Sequence, residues 1–154
     1  MQSSNAIQYD YTVAKYFTIA TIVFGIVGMT VGVFIAFQLS FPGLNDFFGE
    51  YGTFGRLRPL HTDSVIFGFT LSGIWATWYY VGQRVLKVSM AESKFLMFVG
   101  KLHFWLYLIG VAAVVVSLIM GITTSKEYAE FEWPIDIAIV IVWVLWGLGI
   151  FGLT

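Results

Sequence analysis

The sequence predicts an all-α integral membrane protein of four transmembrane helices, on three observations. Four apolar runs each reach the roughly 20 residues that cross ~30 Å of hydrocarbon at ~1.5 Å per residue. Only 11% of the 154 residues are charged, 58% are hydrophobic, and the mean hydropathy is +0.83, whereas soluble domains carry about 25% charged residues. The charges are also sorted by sign between successive interhelical segments, as in a chain with a fixed orientation in a bilayer.

The first fourteen residues, MQSSNAIQYDYTVA, are polar. The apolar run after them far exceeds the ~7–15-residue core of a cleavable signal, so helix one is expected to remain as an anchor. It runs from about 16 to 41 and carries Gly25, Gly28 and Gly32. Such a seam lets a second helix approach closely in lipid, although glycine is also simply common in membrane helices. Helix two, about 60–81, is expected to start at Pro59, which lacks an N–H and suits a first turn. Trp78, Tyr79 and Tyr80 near its other end read as interfacial belt. Helix three spans about 95–122. Helix four spans about 135–154, reaches the last residue, and repeats the small-residue theme with Gly147, Gly149 and Gly152.

Four crossings place the N-terminus, the second loop and the C-terminus on one side. Lys15, Arg84, Lys87, Lys94 and Lys101 lie there against Asp10 and Glu92. The opposite side holds Arg56, Arg58 and Lys126 against seven acids: Asp46, Glu50, Asp63, Glu127, Glu130, Glu132 and Asp136. The positive-inside rule assigns the first set, and the N-terminus, to the cytoplasm. Eight dispersed cations in a chain of net charge −1 give no nucleic-acid footprint. The absence of cysteine excludes disulfides, Cys₄ zinc and iron–sulfur ligation within these residues.

The most informative stretch is Phe54-Gly-Arg-Leu-Arg-Pro-Leu-His61. His61 falls about one turn inside helix two, with Arg58 three residues before it and Val65, Gly68 and Ser72 following near one face. A histidine with a glycine two turns deeper makes a wall for a flat macrocycle, whose propionates Arg58 would meet at the membrane surface. Two other readings fit the spacing: a hydrogen bond to a neighbouring helix, or the lining of an ion path. His103, near the other end of helix three, differs in height from His61 by roughly 25 Å, so the two cannot ligate one iron, and His103 reads as an interfacial or packing residue. Between helices three and four, Lys126-Glu-Tyr-Ala-Glu130-Phe-Glu132 crowds three carboxylates onto the His61 side. This is either a solvated acidic face or part of an oxygen-rich cation site, without EF-hand spacing.

Phe54-Gly-Arg-Leu-Arg-Pro-Leu-His61-Thr62, Lys126-Glu-Tyr-Ala-Glu130 and Glu132-Trp-Pro-Ile-Asp136 resemble the N-terminal part of the catalytic subunit of cbb3-type cytochrome c oxidases, a branch of the haem–copper oxidases. Tyr9-Asp-Tyr11 and Gln83-Arg84 strengthen the likeness, which runs from about residue 9 to the end. It implies that residues 1–154 are a four-helix fragment of a twelve-helix subunit, inactive alone. By the same resemblance His61 ligates low-spin haem b, Arg56 and Arg58 stand at its propionate end, Glu127 reaches a calcium ion between haem propionates, and Glu130 is a second acid beside it.

The implied function is haem b binding and electron transfer within an oxidase that reduces O₂ to water and translocates protons across a bacterial inner membrane. High-spin haem b3 and copper would be held by the remainder of the subunit. The other partners are membrane-anchored c-type cytochrome subunits and the lipid bilayer. A related nitric oxide reductase fragment and a non-catalytic membrane scaffold are the alternatives.

Overall fold

A computed structural model describes residues 7–124, 126 and 129–153. Helix α1 (Thr12–Ser40) begins where Asp10 Oδ1 accepts the Thr12 N–H at 2.8 Å. That bond comes first among the causes that hold the Asp10 carboxyl below its usual range, the nearby Lys101 and Lys15 charges adding to it against some burial. The helix stops before Pro42, whose ring disfavours helical geometry in the preceding residue. Two 3₁₀ turns (Pro42–Asp46 and Gly49–Gly52) follow. Gln38, buried on α1, pins them by donating to the Gly52 carbonyl at 2.6 Å.

The next stretch departs from expectation. Residues 54–86 form three consecutive pieces: α2 (Phe54–Asp63), a π-helical segment (Ser64–Thr70) and α3 (Leu71–Leu86). Pro59 sits inside α2 rather than at its start, because the helix is already opened at Thr53, whose carbonyl accepts from the Arg56 and Leu57 N–H groups. In the π segment the backbone register widens and leaves carbonyls for side chains. The Tyr107 hydroxyl lies 2.9 Å from both the Phe67 and Gly68 carbonyls, and Ser72 donates to Gly68 at 2.6 Å. Such bulges persist where outside donors satisfy the backbone.

Among the described residues, three helices are long and apolar enough to cross a membrane: α1, α4 (Lys94–Met120) and α5 (Trp133–Phe151). They make this a multi-pass membrane protein. The expected count of four is therefore corrected to three. The run predicted as helix two, 60–81, is interrupted by the change of hydrogen-bond register, and neither α-helical piece flanking it has the length of a span.

The 54–86 run lies antiparallel to α1, as successive contacts demonstrate. His61 meets Gly28 and Gly32, Ser72 meets Thr21 at 3.0 Å, and Gln83 donates to the Asp10 carbonyl at 2.8 Å. The seam read from Gly25, Gly28 and Gly32 is this contact, with Phe69, Val65 and His61 packed where a Cβ would stand. Helix α4 starts on a Ser93 cap, whose hydroxyl accepts the Leu96 N–H at 3.3 Å, and ends at Gly121, whose φ of +73° suits glycine alone. Helix α5 opens with Pro134 in its first turn and packs along α4. The main core joins α1, α3 and α4 through Phe17, Trp75, Tyr79, Phe104 and Tyr107, with Val142 of α5. A smaller one sets Leu60 of α2 against Leu118 and Phe131.

Candidate metal-ligating site at the end of α2

His61 is half-buried between α2 and α1. Its Nδ1 stands 2.8 Å from the Gly28 carbonyl. A carbonyl only accepts, so Nδ1 carries a proton, and in the neutral tautomer that this contact selects Nε2 is the nitrogen with the lone pair. This is how a hydrogen bond to a backbone carbonyl prepares a histidine for a metal: it fixes tautomer and ring orientation. Gly32 admits the ring, since a Cβ there would stand 2.5 Å from His61 Cε1. Space expected beside Gly68 is instead filled by the Phe24 ring, 3.1 Å from where a Cβ would be. Room for the histidine thus comes from α1, not from its own helix.

The arginines part company. Arg56 Nη1 donates to the Ile119 carbonyl at 2.9 Å, and its guanidinium covers Gly121, so it completes the exposed carbonyl end of α4. Its remaining N–H donors are additional to that bond. Arg58 is exposed at the same end of α2.

Of the acidic loop, Glu127 lies outside the described residues. Lys126 is exposed and Glu132 half-buried, just before α5. Glu130 is buried, its carbonyl accepting from the Thr124 N–H at 2.8 Å and from the Thr123 hydroxyl at 2.7 Å. It interacts electrostatically with Asp63, two residues after His61 and equally buried. Among the described residues, Asp63 Oδ2 and Glu130 Oε2 have no hydrogen-bond partner. Burying two carboxyl groups within electrostatic reach of each other costs free energy unless a proton or cation intervenes. Asp63 is also the one acid lining an apolar cavity of about 60 Å³ between the π segment, α4 and α5. Sequence reading passed it over, because a single acid after a histidine carries no spacing signal. Among the described residues no three histidine or acidic side chains are grouped to hold a metal ion.

His103 belongs to a different place. It is fully buried, with Nδ1 3.0 Å from the Tyr79 hydroxyl and its ring against Phe17 and Trp75. Phe17 and the Gly28–Gly32 turn lie roughly 16–22 Å apart along α1, so the two histidines are separate, and His103 is a packing residue.

Three long apolar helices, with the segmented 54–86 run packed against the first of them, define the class: a multi-pass helical membrane protein. The chain matches the model of the cytochrome c and quinol oxidase polypeptide I family over residues 12–154, and it belongs to that family. It is 46% identical over 152 residues to the Cbb3-type cytochrome c oxidase subunit CcoN1 of Stutzerimonas stutzeri, covering 99% of this chain and 31% of that protein. It is 42% identical over 137 residues to a cytochrome c oxidase subunit 1 homolog of Agrobacterium tumefaciens (89% of this chain, 24% of the relative). With cytochrome c oxidase subunit 1 of Rhodobacter capsulatus it shares 40% over 146 residues (94% and 27%). The chain thus spans a third or less of these curated relatives.

Proposed function

We propose that this chain holds a low-spin haem b through His61, as part of a cbb3-type haem–copper oxidase that reduces O₂ with electrons from c-type cytochrome subunits and translocates protons. The observation that carries the reading is the Nδ1 contact to the Gly28 carbonyl at 2.8 Å, which orients the ring and makes Nε2 the ligating nitrogen of its neutral tautomer. A haem iron bound there supplies one-electron transfer without bond making. The protein's part would be to fix the imidazole through Gly28 and Gly32 and to present Arg56 and Arg58 to propionate oxygens at the same end of α2. High-spin haem b3 and copper belong, on this reading, to the rest of a longer subunit.

Calcium at Glu127 is part of the same reading. Support comes from Glu130, three residues on in sequence, and Asp63, whose unpartnered Oε2 and Oδ2 among the described residues are oxygens of the kind a hard divalent cation takes. The basic end of the bundle, with the N-terminus, is assigned to the cytoplasm of a bacterial inner membrane, on the sorting of charges.

Haem quantitation in the assembled oxidase tests the assignment. His61→Ala is expected to lose low-spin haem b, and His103→Ala to keep it. Full low-spin haem in the His61 variant would remove it.

A further inference from the structure

At the opposite end of the bundle from His61, α1 and α3 diverge around a groove of about 360 Å³ open to the bundle surface. Its floor is Ala14 and Ala76, small enough to leave a furrow between the helices. Thr18 and Thr77 form part of its walls, yet both hydroxyls are engaged by their own helices, with Ala14 and Gly73 carbonyls at 2.8 and 2.9 Å. No unsatisfied hydroxyl is left on either threonine, so the furrow suits hydrocarbon. Its mouth is of another character. Lys15 stands on α1 and Tyr11 just before it, Tyr80 on α3, and Arg84 one turn beyond.

Arg84 is fully exposed but not loose. Its Nε donates to the Tyr11 hydroxyl at 2.9 Å, and its guanidinium carbon lies 4.8, 5.7 and 6.0 Å from the Tyr80, Tyr11 and Tyr9 ring centres. The rings hold the plane of the guanidinium, and its partner is a phenol rather than a carboxylate, so the terminal N–H pair keeps its full charge for an anion. Asp10 is the nearby acid, and its carboxylate is taken by the start of α1 while also facing Lys15 and Lys101. The surrounding end remains basic, with Lys87, Lys94 and Lys101 against Glu92.

We infer that this groove binds one anionic glycerophospholipid, its phosphate between Arg84 and Lys15 and one acyl chain along Ala14, Thr18, Ala76 and Thr77. Charge complementarity selects the occupant. A neutral chain of another subunit laid over the mouth would bury two cations at the membrane boundary without counter-charge, whereas a phosphodiester supplies that charge and a fork-compatible pair of oxygens. Tyrosine rings at headgroup level complete the fit. The site is remote from His61 and independent of the haem assignment.

The test is native mass spectrometry of the assembled oxidase, delipidated and titrated with phosphatidylglycerol or phosphatidylcholine. One tight phosphatidylglycerol is expected, weakened about tenfold or more in Lys15→Gln/Arg84→Gln. It should also be displaced in Ala14→Leu/Ala76→Leu, where the furrow is filled and the cations are intact. Haem content of every variant should equal the parent's, which separates loss of the lipid from loss of fold. Equal retention of phosphatidylglycerol by parent and variants, or equal affinity for both lipids, would overturn the proposal. So would a benzophenone placed at Thr18 that cross-links to protein rather than lipid, since another helix would then be the occupant.

Discussion

His61 shows how far a single residue is legible. Its type, its motif and its place one turn into the chain's second apolar run make it the candidate ligand in the sequence. What prepares it was not legible as such: Gly28 and Gly32 read as a packing seam, and only the folded contact shows that one supplies the carbonyl and the other the space. Periodicity within one helix cannot report which neighbour fills its gaps, hence the misplaced expectation at Gly68. Gly32→Ala is therefore a sharper probe than any change at Gly68. A methyl 2.5 Å from the imidazole must push the ring or α1 aside, an overpacking that costs about 1–3 kcal/mol. Haem retention in the assembled oxidase should fall while the protein still accumulates in the membrane, as judged by pyridine haemochrome content per subunit. Unchanged haem in Gly32→Ala would mean that the Gly28–His61 contact does not set the ligand.

At the scale of elements, α1, α4 and α5 were recoverable from apolar length alone, to within a few residues. The 54–86 run was not, because hydropathy is indifferent to backbone register. Its π segment depends on Tyr107, 40 residues away from Phe67 in sequence, to satisfy freed carbonyls. The segment between α4 and α5 poses the complementary problem: its acids are plain in the sequence, but the approach of Glu130 to Asp63 is a tertiary fact. On the proposed reading, a cation at this loop would offset the unpartnered Asp63 Oδ2 and Glu130 Oε2. Metal analysis after washing with chelator should find calcium in the parent assembly, and Glu127→Gln should lose it together with part of its haem. Equal calcium and haem in parent and variant would leave Glu127 as a solvated acid.

For the whole molecule, the sorted charges and the folded contacts agree about which segments share an end. Gln83 and Arg84 touch Asp10 and Tyr11, while Arg56 caps α4 at the other end. Because the segmented 54–86 run lies antiparallel to α1, Ser89 and Gly43 fall at opposite ends of the bundle, and reporter fusions should read cytoplasmic at Ser89 and extracytoplasmic at Gly43; the reverse pair would invert the proposed orientation. The separation of ends also separates environments: the candidate ligand His61, with Asp63 and Glu130, at one end, a packed aromatic core around His103, and a basic groove at the other.

The central claim, that His61 supplies an iron ligand, is tested most directly by chemical rescue. The reduced-minus-oxidised spectrum of the assembled oxidase should show the sharp α band of a low-spin haem b in the parent. It should be absent in His61→Ala and return in part when imidazole is added to that variant, because the free base enters the space the side chain vacated. A full α band in His61→Ala without imidazole would contradict the account, for the iron would then take its ligand from elsewhere.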